Sequence, residues 1–183
     1  MCDVDAGAVA GAAKRFPKAK KYKDYRKMFE DADDFDAVVV ATPDHNHFPA
    51  VMRALKAGKH VYCEKPLTWG FWEAQQLAIE AAKQKVATQM GNQGNGGQGW
   101  RILYELVHGG AIGDVNEIHT WTNRPVWPQG IARPKGEDPI PGNLYWDGWI
   151  GPAPMRPFKK GVYHGFKWRG FYDFGAGALG DMA

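Results

Sequence analysis

Cysteine is scarce: Cys2 and Cys63 are the only two in 183 residues. Two thiols cannot staple a chain of this length, so stability has to come from a packed core rather than a disulfide framework. Long apolar runs are absent too. No stretch approaches the ~18 residues that cross a bilayer, and the first residues lack the pattern of a secretory signal. A cytoplasmic protein with no membrane partner is the expectation. Neither sign of charge is in excess, since 23 basic and 20 acidic side chains leave +3, too little for a nucleic-acid binder without a clustered face. The basic cluster from Lys14 to Lys23 is followed at once by acids from Asp24 to Asp34, which cancel its field and make it a solvated face. There are no internal repeats and no low-complexity tract. What the chain does carry is 23 Gly, 12 Pro, 8 Trp, 7 Tyr and 9 Phe, a profile of loops lined with rings that suits a small-molecule cleft.

The first half alternates strand and helix signals. Cys2 to Val4 reads as a strand tail, and Ala6 to Phe16 as an alanine-rich helix stopped by Pro17. A short helix over Tyr25–Asp31 precedes the β-branched run Asp36–Thr42, which has the look of a strand buried on both faces of a parallel sheet. Phe48, Val51, Met52 and Leu55 recur at helical spacing and Gly58 closes that helix. A strand over Lys59–Cys63, a helix marked by Phe71, Ala74, Leu77 and Ala81, and a strand over Val86–Met90 complete the alternation. Strands alternating with helices imply βαβ units and a doubly wound sheet.

Near Gly91 the texture changes. Trp100, Leu103, Tyr104 and Val107 mark one more helix, ended by Gly109 and Gly110, and Val115–Thr122 alternates as a half-buried strand would. From Arg124 to Pro157 there are eight prolines and three tryptophans without periodicity, a stretch whose rings predict an ordered, ring-packed surface. The expected fold class is therefore α/β: a truncated Rossmann-like doubly wound parallel sheet over residues 1–91, then an incomplete α+β substrate domain over 92–183.

In a dinucleotide fold, an acid at the end of the second strand accepts from the adenosine ribose hydroxyls ~20 residues beyond the glycine-rich first turn. Asp3 stands in that position, which places the first strand and its glycines upstream of Met1. The competing reading is that Asp3 or Asp5 merely caps the following helix. One literal G-x-G-x-x-G occurs at Gly94, Gly96 and Gly99. It arrives after about four strand signals and flows into aromatic, proline-rich sequence, so a hinge over the cleft competes with a phosphate loop there.

Cys63-Glu64-Lys65-Pro66 falls where a parallel strand ends, the edge at which open α/β sheets bind ligands. A lysine amine there can take a hydroxyl proton while hydride leaves the same carbon. Glu64 can hold a ribose hydroxyl. An ordinary surface turn is the plain alternative. Asp44-His45-Asn46-His47 contains an H-x-H pair of the kind that can ligate zinc, but no later strand end supplies further ligands, so these read as helix-entry polar residues and no metal is expected. Of the tryptophans at 121, 127, 146, 149 and 168, one or two are expected to touch a ligand.

Taken together, CDVD at 2–5, VVVATPDHNH at 38–47, AGKHVYCEKPLT at 57–68, GNQG at 91–94, GAIGDVNEIHTWTNRPVWPQG at 110–130 and WRGFYDFGAGALGDMA at 168–183 resemble the Gfo/Idh/MocA oxidoreductase family, named for glucose-fructose oxidoreductase and inositol dehydrogenase. The resemblance implies a Rossmann domain that binds NAD(P) and a second α/β domain that shapes a carbohydrate site. It implies that Lys65 is the catalytic lysine, with Asp181 beside it in the acid/base apparatus. Asp3, Thr42, Pro43, His47, Glu64, Lys65, Asn92 and Gln93 would lie on the cofactor. Lys65, Trp168, Arg169 and Asp181 would lie on the substrate. The charge on Asp3 favours NAD over NADP by repelling a 2′-phosphate. The family's catalytic histidine would fall just past Ala183, and with the glycine fingerprint also outside, weak NAD binding and an inactive fragment are expected. Position 95 is Asn where related sequences often carry His. The implied activity is hydride transfer between a sugar, polyol or related carbohydrate and nicotinamide, in a homo-oligomer when full length. A carbohydrate hydrolase or lyase using transient oxidation and a non-catalytic NAD-binding protein are the alternatives.

Overall fold

The computed structural model describes residues 1–182. Asp5 opens the first helix, α1 (Ala6–Arg15), by accepting the Gly7 N–H at 2.8 Å, an N-cap bond. Asp24 does the same for the single turn α2 (Tyr25–Met28) through the Arg26 N–H, and a 3₁₀ stretch over Phe29–Asp34 follows. Then come β1 (Ala37–Val40), α3 (His47–Lys56), β2 (His60–Glu64), α4 (Phe71–Gln84), β3 (Thr88–Gly91) and α5 (Gln98–His108). The remaining helices are α6 (Trp146–Ile150) and α7 (Gly177–Met182).

The three strands form one parallel sheet in the order β1-β2-β3. Alternation along each strand sends Val40, Val61 and Cys63 to one face, where they pack with Ala50, Val51, Ala54 and Leu55 of α3 and Leu77 of α4. This is the fold class read from the sequence, α/β with a parallel sheet. The expected burial of β1 on both faces is not met. Val39 is 71% exposed, because it points to the sheet face opposite the one that α3 and α4 cover. Phe71 also stands off the core, 84% exposed at the first turn of α4.

A second core has no strands. Trp146, Trp149 and Ile150 of α6 join Leu144, Phe158, Tyr163, Trp168, Phe171 and Phe174, with Val4 packed against them. Trp146 and Trp149 stack with ring centroids 4.8 Å apart. The proline-rich stretch is thus ordered by its rings, as its composition implied. Arg156, itself buried, lies over the Phe174 ring and pairs with Asp173, which Arg133 also reaches at 3.0 Å. Residues 115–122 are not a strand: they lack regular structure, and Ile118 and Trp121 are 80% and 87% exposed. Their alternation is real, but no neighbouring strand among the described residues offers the hydrogen bonds that would fix it. The α5 helix forms as its spacing predicts, yet none of its residues is buried.

Candidate active site

Register decides where the site lies. Val40 pairs with Cys63 and Cys63 with Met90, so the three strands end level and the residues after them share one edge. Thr42 and Pro43 follow β1, Glu64 and Lys65 end β2, and Asn92 and Gln93 follow β3. His47 joins two of these ends, with Nδ1 2.7 Å from the Pro66 carbonyl and Nε2 2.7 Å from the Thr42 carbonyl. Both ring nitrogens are thereby occupied by protein, so His47 shapes the edge by holding its loops together.

At the end of β2 the Lys65–Pro66 bond is cis. The Lys65 ammonium meets α7: its Nζ donates to the Asp181 carbonyl at 2.5 Å and lies 3.0 Å from Asp181 Oδ1. The Asp181 side chain is only 10% exposed. Arg169 approaches the same carboxylate, with Nε 3.9 Å from Oδ1, and its guanidinium is held between the Trp168 and Phe166 rings. One carboxylate thus sits between two cations, contributed by segments more than a hundred residues apart. Glu64 turns toward β3 instead, where Gln93 Nε2 donates to both of its oxygens at 2.8 Å. Gly91 permits that approach, because a Cβ there would stand 2.7 Å from Glu64 Oε2.

A cavity of about 900 Å³ runs alongside, at the upper end of the ~300–1,000 Å³ of small-molecule sites. Asp3 lies on one part of its wall, Thr42, Pro43 and Asn46 on another, and Trp168 and Arg169 on a third. Glu64, Lys65, Gln93 and Asp181 are not on that wall. The structure therefore brings the expected residues into two adjoining groups. Asp5 is the helix cap, while Asp3, exposed and on the cavity wall, accepts the Asp5 N–H at 2.9 Å through Oδ1. Asn46 presents a buried side-chain oxygen without a partner, an acceptor suited to a hydroxyl or carboxamide donor. A dinucleotide, rich in such donors, fits these residues.

Asp44 to Asn46 lead directly into α3, the helix entry that the sequence suggested, but they are not surface residues there. All three are buried and their bonds cross to the aromatic core. Asp44 Oδ2 accepts the Ala176 N–H at 2.9 Å, the His45 N–H donates to the Phe174 carbonyl at 3.2 Å, and Asn46 Nδ2 donates to the Trp149 carbonyl at 2.9 Å. Four successive polar residues after a β-branched run were the available signal, but the partners of the first three lie more than a hundred positions away. Among the described residues no group of three or more His, Cys, Asp or Glu is placed to hold a metal ion, and no helix is long and apolar enough to cross a membrane.

Burial pushes the His45 imidazole down from 6.5 to about 4, against the pull of its bonds to the Trp149 and Phe174 carbonyls. The unfolded chain therefore binds a proton that the folded one refuses between these values. Stability is full above pH 6.5 and falls as pH drops toward 4, by roughly 3 kcal/mol. Asp44 opposes this at the acid end, since burial raises its carboxyl above the usual carboxylate range. Urea unfolding at a series of pH values is expected to show this decline, and His45→Gln to flatten it. An unchanged slope in that variant would assign the acid sensitivity elsewhere.

Comparison with known proteins places these features. The model of an oxidoreductase family with an NAD-binding Rossmann fold matches residues 2–92, and that of the same family's C-terminal alpha/beta domain matches residues 114–183. Inositol 2-dehydrogenase of Salmonella typhimurium is 30% identical over 122 residues, 65% of this chain and 36% of that protein. The 2,7-anhydro-N-acetylneuraminate hydratase of Escherichia coli is 31% identical over 115 residues, 60% of this chain and 30% of that protein. Scyllo-inositol dehydrogenase from Lactobacillus casei, solved with NAD(H) and scyllo-inositol, superposes with a TM-score of 0.56 at 28% identity, over 62% of this chain and 33% of that one. The chain spans between a quarter and about a third of the length of the relatives it matches.

Proposed function

This chain belongs to the Gfo/Idh/MocA oxidoreductase family, an NAD-binding Rossmann-fold family, and from that premise we propose that it serves hydride transfer between a sugar or polyol hydroxyl carbon and NAD. The observation that carries the reading is the Lys65–Asp181 pair, 3.0 Å apart at the carboxyl end of a parallel strand. Bound NAD would supply the hydride acceptor. Lys65, as the free amine, takes the hydroxyl proton of the carbinol being oxidised, and as the ammonium returns it to the carbonyl oxygen in the reverse direction. Asp181 steers Lys65 and, with Arg169, forms a polar patch to which vicinal hydroxyls can bond. Glu64, oriented by Gln93, and Asp3, on the cavity wall, are acceptors for ribose hydroxyls. The negative charge of Asp3 disfavours a 2′-phosphate, which selects NAD over NADP. The boundary near residue 91 separates the cofactor part from the substrate part, and the assembly is a homo-oligomer.

The test is NADH formation at 340 nm, at millimolar NAD⁺, by the chain extended to the length of its relatives, with a panel of cyclic polyols and aldoses. Turnover with at least one member, lost in Lys65→Ala, is expected; equal background for both proteins across the panel sinks the reading. The hydratase among the relatives favours a second outcome, in which oxidation is transient. Substrate would then be consumed without net NADH, which chromatography of the sugar detects.

A further inference from the structure

We propose that Asp44 is a positioning residue for the Lys65–Asp181 pair, acting with His45 through the turn that launches α7. The proposal rests on the reading of that pair as the acid/base apparatus. Three distances define it. The Asp44 carboxylate takes the Ala176 N–H at 2.9 Å, the residue just before α7 begins. The Phe174 carbonyl is held twice, by the His45 N–H at 3.2 Å and by His45 Nδ1 at 3.3 Å. Phe174 itself is fully buried and its ring lies 5.0 Å from the His45 ring. The backbone at 174–176 is therefore gripped by a group rooted on α3 and β1.

Asp181 lies five residues beyond Ala176, about 7.5 Å along a helix axis. A helix so short cannot hold its own direction by propensity, and no residue of α7 belongs to either hydrophobic core. Its placement depends on its ends. At the far end stands the pair with Lys65; at the near end stands Asp44. Lys65 follows β2, and β2 pairs in register with β1, which leads into Asp44. The same sheet edge thus carries both Lys65 and the residue that aims its partner. Asp44 and Asp181 are close enough for the Asp181 charge to add to the burial that raises the Asp44 carboxyl, while His47 and Arg169 oppose it.

A carboxylate is a costly way to satisfy one amide, because burying it requires partners. Asparagine keeps an acceptor oxygen at the same reach and alanine keeps none, so the two substitutions separate the bond from the charge. Asp44→Ala is expected to speed exchange of the Ala176 amide at least about tenfold, the loss of a protecting bond worth about one hydrogen bond. It should also raise the acetylation rate of Lys65 several-fold, as Asp181 leaves it, with Lys56 and Lys83 unchanged. Asp44→Asn restores both toward wild type. In the NAD-dependent assay Asp44→Ala lowers kcat with little change in KM for the polyol. Should Asp44→Ala fail to fold, Asp44→Ser replaces it, its hydroxyl being too short to reach the amide.

If the Ala176 amide loosens but Lys65 labelling stays at the wild-type rate, the positioning claim is overturned. If labelling changes as expected while Lys65→Ala itself leaves turnover intact, the positioning stands and the acid/base reading of the pair fails.

Discussion

In the chain extended to the length of its relatives, Lys65→Ala is expected to lower kcat for NAD-dependent polyol oxidation by two to four orders of magnitude, the usual contribution of a placed acid/base. NAD affinity should move by less than about threefold, well under 1 kcal/mol, because Asp3, Glu64 and the cavity wall are untouched. Lys65→Arg sharpens the test. Arginine preserves the charge facing Asp181 but does not release a proton in proteins. Both variants should therefore be slow, with KM for the polyol less affected in Lys65→Arg. Near-normal turnover in Lys65→Arg would mean that Lys65 supplies charge alone. Steady-state kinetics with paired calorimetry for NAD⁺ reads both quantities.

Phe174→Ala is expected to have the largest effect on stability, a loss of about 3–5 kcal/mol. Its ring is fully buried and touches Trp149 at 4.7 Å, Tyr163 at 5.6 Å and His45 at 5.0 Å between centroids, with the Arg156 guanidinium 4.4 Å above it. Truncation opens a cavity that rigid neighbouring rings cannot collapse into, and it uncovers a buried cation. Phe174→Leu should recover much of the loss by refilling volume. Chemical denaturation followed by tryptophan fluorescence checks this. A loss under about 1 kcal/mol for the alanine variant would show that the aromatic core tolerates a void and is packed more loosely than its geometry indicates.

Much of this protein is legible in local sequence. The helix of α1 with its stop before Pro17, the parallel strands and the ring-ordered loop follow from residue type and period, because those signals depend on neighbours a few positions away. So does the place of Lys65, since the short strand His60–Glu64 runs directly into Lys65-Pro66. Other features depended on a partner. Val115–Thr122 alternates like a strand and is not one, and Val39 belongs to a β-branched run and is open to solvent. Pattern specifies which way side chains point, while burial needs something to point at.

The candidate site divides along the same line. Residue chemistry and the strand end in the sequence determined that Glu64 and Lys65 lie at the carboxyl end of a parallel strand, whereas the strand expected over Cys2–Val4 is only an isolated bridge from Cys2 to Tyr22. The resemblance set Asp181 beside Lys65, but only the tertiary structure decided that the two meet at 3.0 Å, that His47 faces two backbone carbonyls, and that Asp44 reaches Ala176. Those choices reach as far as 132 residues along the chain. Hydrogen bonds and ion pairs act over about 3 Å, and no local pattern encodes which distant group the folded chain will bring to that distance.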